Sequence, residues 1–110
     1  MRMILLVTAF TAALAARATS QAPDGKALYD ENCRKCHGVR GVPPQAMQKK
    51  FEKLAAFDVA FMAKRPDDSV VKILVKGKGE GMKSFKEKMN PAEMKAVALY
   101  LRELSGKKTP

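Results

Sequence analysis

The chain contains two cysteines and one histidine, and all three fall in a single pentapeptide, Cys33-Arg34-Lys35-Cys36-His37. No other feature constrains it as much. C-x-x-C-H is the pattern of c-type haem attachment, and its spacing has a chemical reason. Haem carries vinyl groups on adjacent pyrrole rings. Two thiols three residues apart share one helical turn, so each reaches one vinyl and can form a thioether. The next residue then projects over the ring plane, where its imidazole nitrogen can bind iron from one side. Other uses of these residues are weaker. A zinc knuckle at Cys33, Cys36 and His37 lacks the fourth ligand of a structural site. A thioredoxin-like pair wants a βαβ setting, which the surrounding sequence does not supply. A Cys33–Cys36 disulfide leaves His37 without a role.

The same scarcity excludes whole classes. With 110 residues the chain is one domain. Two cysteines cannot staple a disulfide-dense scaffold, and a Ser-His-Asp hydrolase would have to run on His37 alone. No segments exist from which to build a transmembrane bundle.

The first residues read as an export signal. Arg2 supplies the positive start, and Met3 to Ala16 is an apolar run broken only by Thr8 and Thr11. It is shorter than the ~20 residues a membrane span needs and ends in the A-x-A site Ala16-Arg17-Ala18. Ser20-Gln21-Ala22 is a second candidate site. The expected division is a cleaved secretory signal peptide at 1–18 and one domain at 19–110, with its core at about 24–104 and a basic tail at 105–110. The expected location is periplasmic. Two cysteines exported into an oxidising compartment should be bonded to each other, to a metal or to a cofactor.

Helical signals dominate the rest, and no stretch alternates like a strand. Asp24 caps a helix from about Gly25 to Cys33, with Ala27, Leu28 and Tyr29 available for an inner face. Gly38 to Pro44 is a loop. Gln45 to Lys64 reads as a helix with Phe51, Leu54, Ala55 and Phe61 as its apolar members. Asp67 and Asp68 open a helix from Ser69 to Lys76, stopped by Gly77. Gly77 to Gly81 is a loop leading into Met82. The last helix has Asn90 as N-cap, Pro91 at its first position and Glu93 at its third. Met94, Val97, Leu101 and Leu104 form its apolar stripe, with Tyr100 beside them and Lys95 and Arg102 off it. Gly106 ends it.

An iron held by His37 has a second axial position. No other histidine exists, so methionine is the natural soft ligand, and a His/Met pair raises the reduction potential. Outside the export segment stand Met47, Met62, Met82, Met89 and Met94. Met94 lies on a core-facing helix stripe. Met47 and Met62 read as gap-filling core, and Met89 precedes a helix cap. Met82 follows a glycine-rich loop whose backbone can approach a flat cofactor, and Ser84-Phe85 can close the pocket.

Taken together, residues 24–104 resemble a class I, mitochondrial-type cytochrome c of the short bacterial kind. Gly25 and Tyr29 resemble the glycine and aromatic pair of its first helix. Cys33 to Gly38 is C-x-x-C-H-G. Gly77 to Phe85 resembles the G-x-G…M-P-x-F ligand loop, and Met94 to Arg102 resembles the closing helix. The resemblance implies an all-α fold of three to five helices wrapped round one covalently attached haem c. It implies thioethers at Cys33 and Cys36 and iron ligands at His37 and Met82. It implies that the last helix crosses the first near Gly25 through Val97, Tyr100 and Leu101. Lys83 replaces the proline that usually follows the ligand methionine. Pro43 and Pro44 are candidates for the carbonyl that meets the other histidine nitrogen.

The function expected from this is a monohaem electron carrier with no catalytic residues. With both axial positions filled the iron offers no open site to a substrate. Leu54, Phe57, Phe61, Val70, Leu74, Phe85, Val97 and Leu101 are the expected haem lining. Lys and Arg number 21 against 11 Asp and Glu, a net charge of +10. That excess either solvates helix faces or, through Arg34, Lys35, Lys78, Lys83, Lys86 and Lys88, steers acidic-surfaced redox proteins: a reductase or dehydrogenase donor and an oxidase or reaction-centre acceptor. Nucleic acid is not an expected partner of an exported chain, and the cleaved chain is not expected to be an integral membrane protein. Two other classes remain: a permanent haem subunit of a multi-component oxidoreductase, and a haem sensor or peroxidase with a displaceable methionine.

Overall fold

The computed structural model describes residues 22–106. The export segment 1–18 and the tail residues 107–110 lie outside them. Among the described residues six helices follow one another: α1 (Gly25–Asn32), α2 (Arg34–His37), α3 (Gln45–Lys50), α4 (Val59–Ala63), α5 (Asp67–Lys76) and α6 (Pro91–Gly106). The described residues hold no strand, only an isolated bridge between Lys78 and Met82. The architecture is the all-α fold expected, with more and shorter helices than three to five.

Of the two helices not expected, α2 lies beyond the expected end of the first helix at Cys33, and the other arises where one helix was expected over Gln45 to Lys64. Phe51 leaves α3 in an extended conformation, and the chain does not re-enter a helix until Val59. Two bonds, one long-range and one local, compete with helix there. The Phe57 N–H donates to the Gly41 carbonyl at 2.8 Å, across the chain. The Asp58 carboxylate accepts from the Phe61 N–H at 2.7 Å and so starts a new helix.

Both end helices form as their caps dictate. The Asp24 carboxylate accepts from the Ala27 N–H at 3.1 Å and opens α1. At α6, the Asn90 side chain accepts from the Glu93 N–H at 2.9 Å, and the Glu93 carboxylate accepts from the Asn90 N–H at 3.0 Å. This is a reciprocal capping box. α5 starts two residues before the expected Ser69, which puts Asp67 and Asp68 in its first turn, favourably placed against the helix dipole.

α6 is the centre of the core. Met94, Val97, Ala98, Tyr100, Leu101 and Leu104 are all buried, and α1, α4 and α5 pack around them. α1 meets α6 backbone to backbone: a Cβ on Gly25 would lie 2.2 Å from the Ala96 carbonyl oxygen. Ala96 and Tyr100 therefore make the crossing at Gly25, whereas Val97 and Leu101 turn into the core. On α1, Tyr29 is fully buried and its ring lies 5.3 Å from that of Tyr100. Ala27, expected on the inner face, is exposed.

Arg102, which lies off the apolar stripe, ties three helices together. Its guanidinium donates to the Asp67 carboxylate and to the carbonyls of Met62 and Arg65. Removing it strands one carboxylate and two carbonyls that are only partly exposed. We expect Arg102→Ala to cost about 2–3 kcal/mol in urea unfolding. Arg102→Lys should recover little, because an ammonium cannot reproduce the planar fork.

Candidate haem site

Cys33, Cys36 and His37 are gathered on one turn. The N–H groups of Cys36 and His37 both donate to the Cys33 carbonyl, at 3.2 and 2.9 Å. Both thiols are free, Cys33 buried and Cys36 half-buried. Burial pushes the Cys33 thiol up to about 11, with the neighbouring Cys36 adding to the shift. Burial also lowers the His37 pKa, which favours the neutral imidazole that can bind a metal.

The His37 ring is held face-on by Phe57, with centroids 4.7 Å apart and planes at 24°. Its Nδ1 is buried and has no hydrogen-bond partner among the described residues. The two proline carbonyls considered for it are engaged elsewhere. Pro43 accepts from the Gln48 side chain at 2.7 Å, and Pro44 accepts from the N–H groups of Met47 and Gln48. Beyond His37 the chain turns sharply. Gly38 takes φ +84°, and its carbonyl accepts from the buried Tyr29 hydroxyl at 2.6 Å. Sequence reasoning placed Tyr29 by its aromatic ring alone; nothing in the pattern shows the partner of a hydroxyl nine residues away.

The loop that carries Met82 is closed at its neck. The Lys78 N–H donates to the Met82 carbonyl at 2.7 Å, and the Phe85 N–H donates to the Leu74 carbonyl at 2.8 Å. The Ser84 hydroxyl donates to the Val75 carbonyl. Met82 itself is half-buried and packs against the buried cluster that includes Cys33. Met62, Met89 and Met94 are sealed in that cluster at 2%, 3% and 2% exposure, consistent with core roles. Met47, expected as core, is half-buried on α3 and is not part of it.

Most of the residues expected to line the haem belong to the buried cluster or pack on it. Val70, Leu74, Val97 and Leu101 are buried, and Phe57, Phe61 and Phe85 pack against them. Leu54 is half-buried but lies outside the cluster. The six cations singled out, Arg34, Lys35, Lys78, Lys83, Lys86 and Lys88, are all exposed. Val39 and Val42, just after His37, are also exposed at 56% and 51%. Sequence reasoning missed them because they sit in a loop with no periodicity.

These residues fit a covalently attached haem. Two free thiols and an imidazole share a turn, and an apolar cluster lies beside them. Among the described residues no group of three His, Cys, Asp or Glu side chains converges as a protein-bound metal ion would need. Nor is any described helix long and apolar enough to cross a membrane.

Fold and site together define a small all-α haem protein of the c type. Comparison with known proteins agrees. Residues 20–101 match the family model described as cytochrome c oxidase, cbb3-type, subunit III. The chain is also similar to the solved structure of the KustC0563 c-type cytochrome, at 34% identity and a TM-score of 0.66, over 74% of this chain and 96% of that one. A tyrosine-to-phenylalanine mutant of the same protein matches at 33% identity and a TM-score of 0.65, over 74% and 98%. No curated protein matches the chain. The chain belongs to the c-type cytochrome family, and its cofactor is covalently bound haem c.

Proposed function

We propose that this chain is an exported monohaem cytochrome that passes single electrons between redox partners, with haem thioethers at Cys33 and Cys36 and iron ligands at His37 and Met82. The observation that carries the reading is the contrast among the methionines. Met82 stands in a loop, half-buried and packed against the buried cluster of Cys33; Met47 is half-buried on α3 away from that cluster, and Met62, Met89 and Met94 are buried in the core. When bound, the haem supplies one iron that changes by a single electron between ferric and ferrous states.

The chain's own groups do the rest. Cys33 and Cys36 would anchor the cofactor, which makes its loss a bond-breaking step and not a dissociation. His37, fixed by Phe57, would occupy one side of the iron, and Met82 the other. Phe57, Phe61 and Phe85 keep water from the buried cluster. Arg34, Lys35, Lys78, Lys83, Lys86 and Lys88 would steer acidic-surfaced donors and acceptors, with association slowing as salt rises.

A second reading has one observation in its favour: the matched family is described as an oxidase subunit. The chain would then be held permanently in a larger oxidoreductase and would exchange electrons inside it. Export to the periplasm is part of both readings and rests on Arg2, the apolar run and Ala16-Arg17-Ala18.

Voltammetry of the purified holoprotein tests the carrier reading. A single reversible one-electron wave, unchanged by hydrogen peroxide, is the expected result. A catalytic current on adding peroxide would overturn it in favour of an enzyme with an open iron.

A further inference from the structure

Met82 is followed by Lys83, which does not fix the backbone as a proline would. The hydrogen bonds at the neck of the loop hold Gly77, Lys78 and Ser84 but not its tip, Gly79 to Gly81. The two tip glycines differ. Nothing lies within 4 Å of where a Cβ on Gly79 would stand. A Cβ on Gly81 would lie 2.6 Å from Cε1 of Phe51 and 3.1 Å from its Cδ1 and Cζ. The edge of the Phe51 ring is therefore pressed against the backbone immediately before Met82. Any side chain at 81 would push the two apart.

Phe51 is well placed to bear that contact. Its backbone is tied on both sides: its N–H donates to the Met47 carbonyl at 2.9 Å, and its carbonyl accepts from the Leu54 N–H at 3.0 Å. The Lys50 ammonium lies 5.4 Å from the ring centroid on α3's last turn. The ring is half-buried, yet it is not among the side chains packed on the central core. A large apolar ring that does not serve the core is spent on the loop tip instead.

We propose that Phe51 is a positioning residue for Met82, bracing the ligand loop from outside where the following residue is lysine. The inference rests on the reading of Met82 as an iron ligand. The brace biases the loop toward the ligated arrangement, so its loss raises the population in which the sixth position is free.

The test is a titration of the ferric holoprotein with imidazole, which competes with Met82 for iron. It is followed in the optical spectrum together with the weak far-red sulfur-to-iron band. Phe51→Ala is expected to bind imidazole about tenfold more tightly and to weaken the band. Phe51→Leu should restore most of the parent behaviour. Gly81→Ala should also tighten imidazole binding, because its methyl meets the ring. In the Phe51→Ala background the same change should do little, since the ring it would strike is gone. A merely structural role for Phe51 would give no such dependence.

Parent-like imidazole binding in Phe51→Ala, with the far-red band intact in both, overturns the brace and leaves Met82 as ligand. If Phe51→Ala yields no holoprotein, parent-like binding by Gly81→Ala overturns it equally. Absence of the band from the unmutated protein overturns the brace and the Met82 assignment together.

Discussion

Gly38→Ala is expected to remove a large share of the stability of this protein. Gly38 follows His37 directly and has φ +84° and ψ 160°. That region is almost closed to residues with a side chain and costs on the order of 1–3 kcal/mol. A second cost is steric. A Cβ at this position would lie 1.9 Å from the Val42 carbonyl oxygen, which is backbone and cannot rotate away. The loop cannot shift freely either, because the Tyr29 hydroxyl holds the Gly38 carbonyl and the Phe57 N–H holds that of Gly41. We expect a total loss of at least about 4 kcal/mol, against a whole-domain stability of roughly 5–15 kcal/mol. The urea midpoints of parent and variant measure it. An unchanged midpoint would mean that the turn after His37 is not the rigid element described here.

Met82→Ala is expected to produce the largest change at the site itself. Without its thioether, position 82 offers the iron no ligating side chain. The ferric protein should turn high-spin and should bind imidazole or cyanide readily. The reduction potential should fall, by on the order of 0.1 V, within the ~0.8 V that axial ligands command. Global unfolding should move little, because Met82 is only half-buried and the neck of its loop is tied by backbone bonds that the substitution leaves in place. Optical titration and equilibrium redox potentiometry read these effects. If the variant kept the parent's potential and spectrum, Met82 would not be a ligand.

Much of this was legible in the sequence, and the limits were physical. Cys33, Cys36 and His37 announce themselves because their chemistry demands a fixed local spacing. α1 and α6 were legible because Asp24, Asn90 and Glu93 act on N–H groups within three residues of themselves. The stripe Met94, Val97, Leu101 and Leu104 was legible because burial follows the helical period. The break between α3 and α4 was not. It depends on Phe57 bonding to Gly41, sixteen positions earlier, and no window of local propensity contains that partner. Arg102 was read only as lying off the apolar stripe, since Asp67, Met62 and Arg65 reach it from two other segments. The tight fit of Phe51 on Gly81 joins two loops and leaves no periodic trace. Local rules thus located the thiols and the imidazole, while the groups that hold them in place come from tertiary contacts.

The central claim is a covalent haem held by Cys33 and Cys36 and ligated by His37 and Met82. Its most direct test is the optical spectrum of the unmutated protein, oxidised and reduced, made in cells equipped for c-type haem maturation. The expected result is a haem that stays with the denatured chain, a low-spin spectrum and a weak far-red sulfur-to-iron band in the ferric form. A high-spin ferric spectrum would contradict the axial pair, and a chain that carries no covalent haem would contradict the whole account.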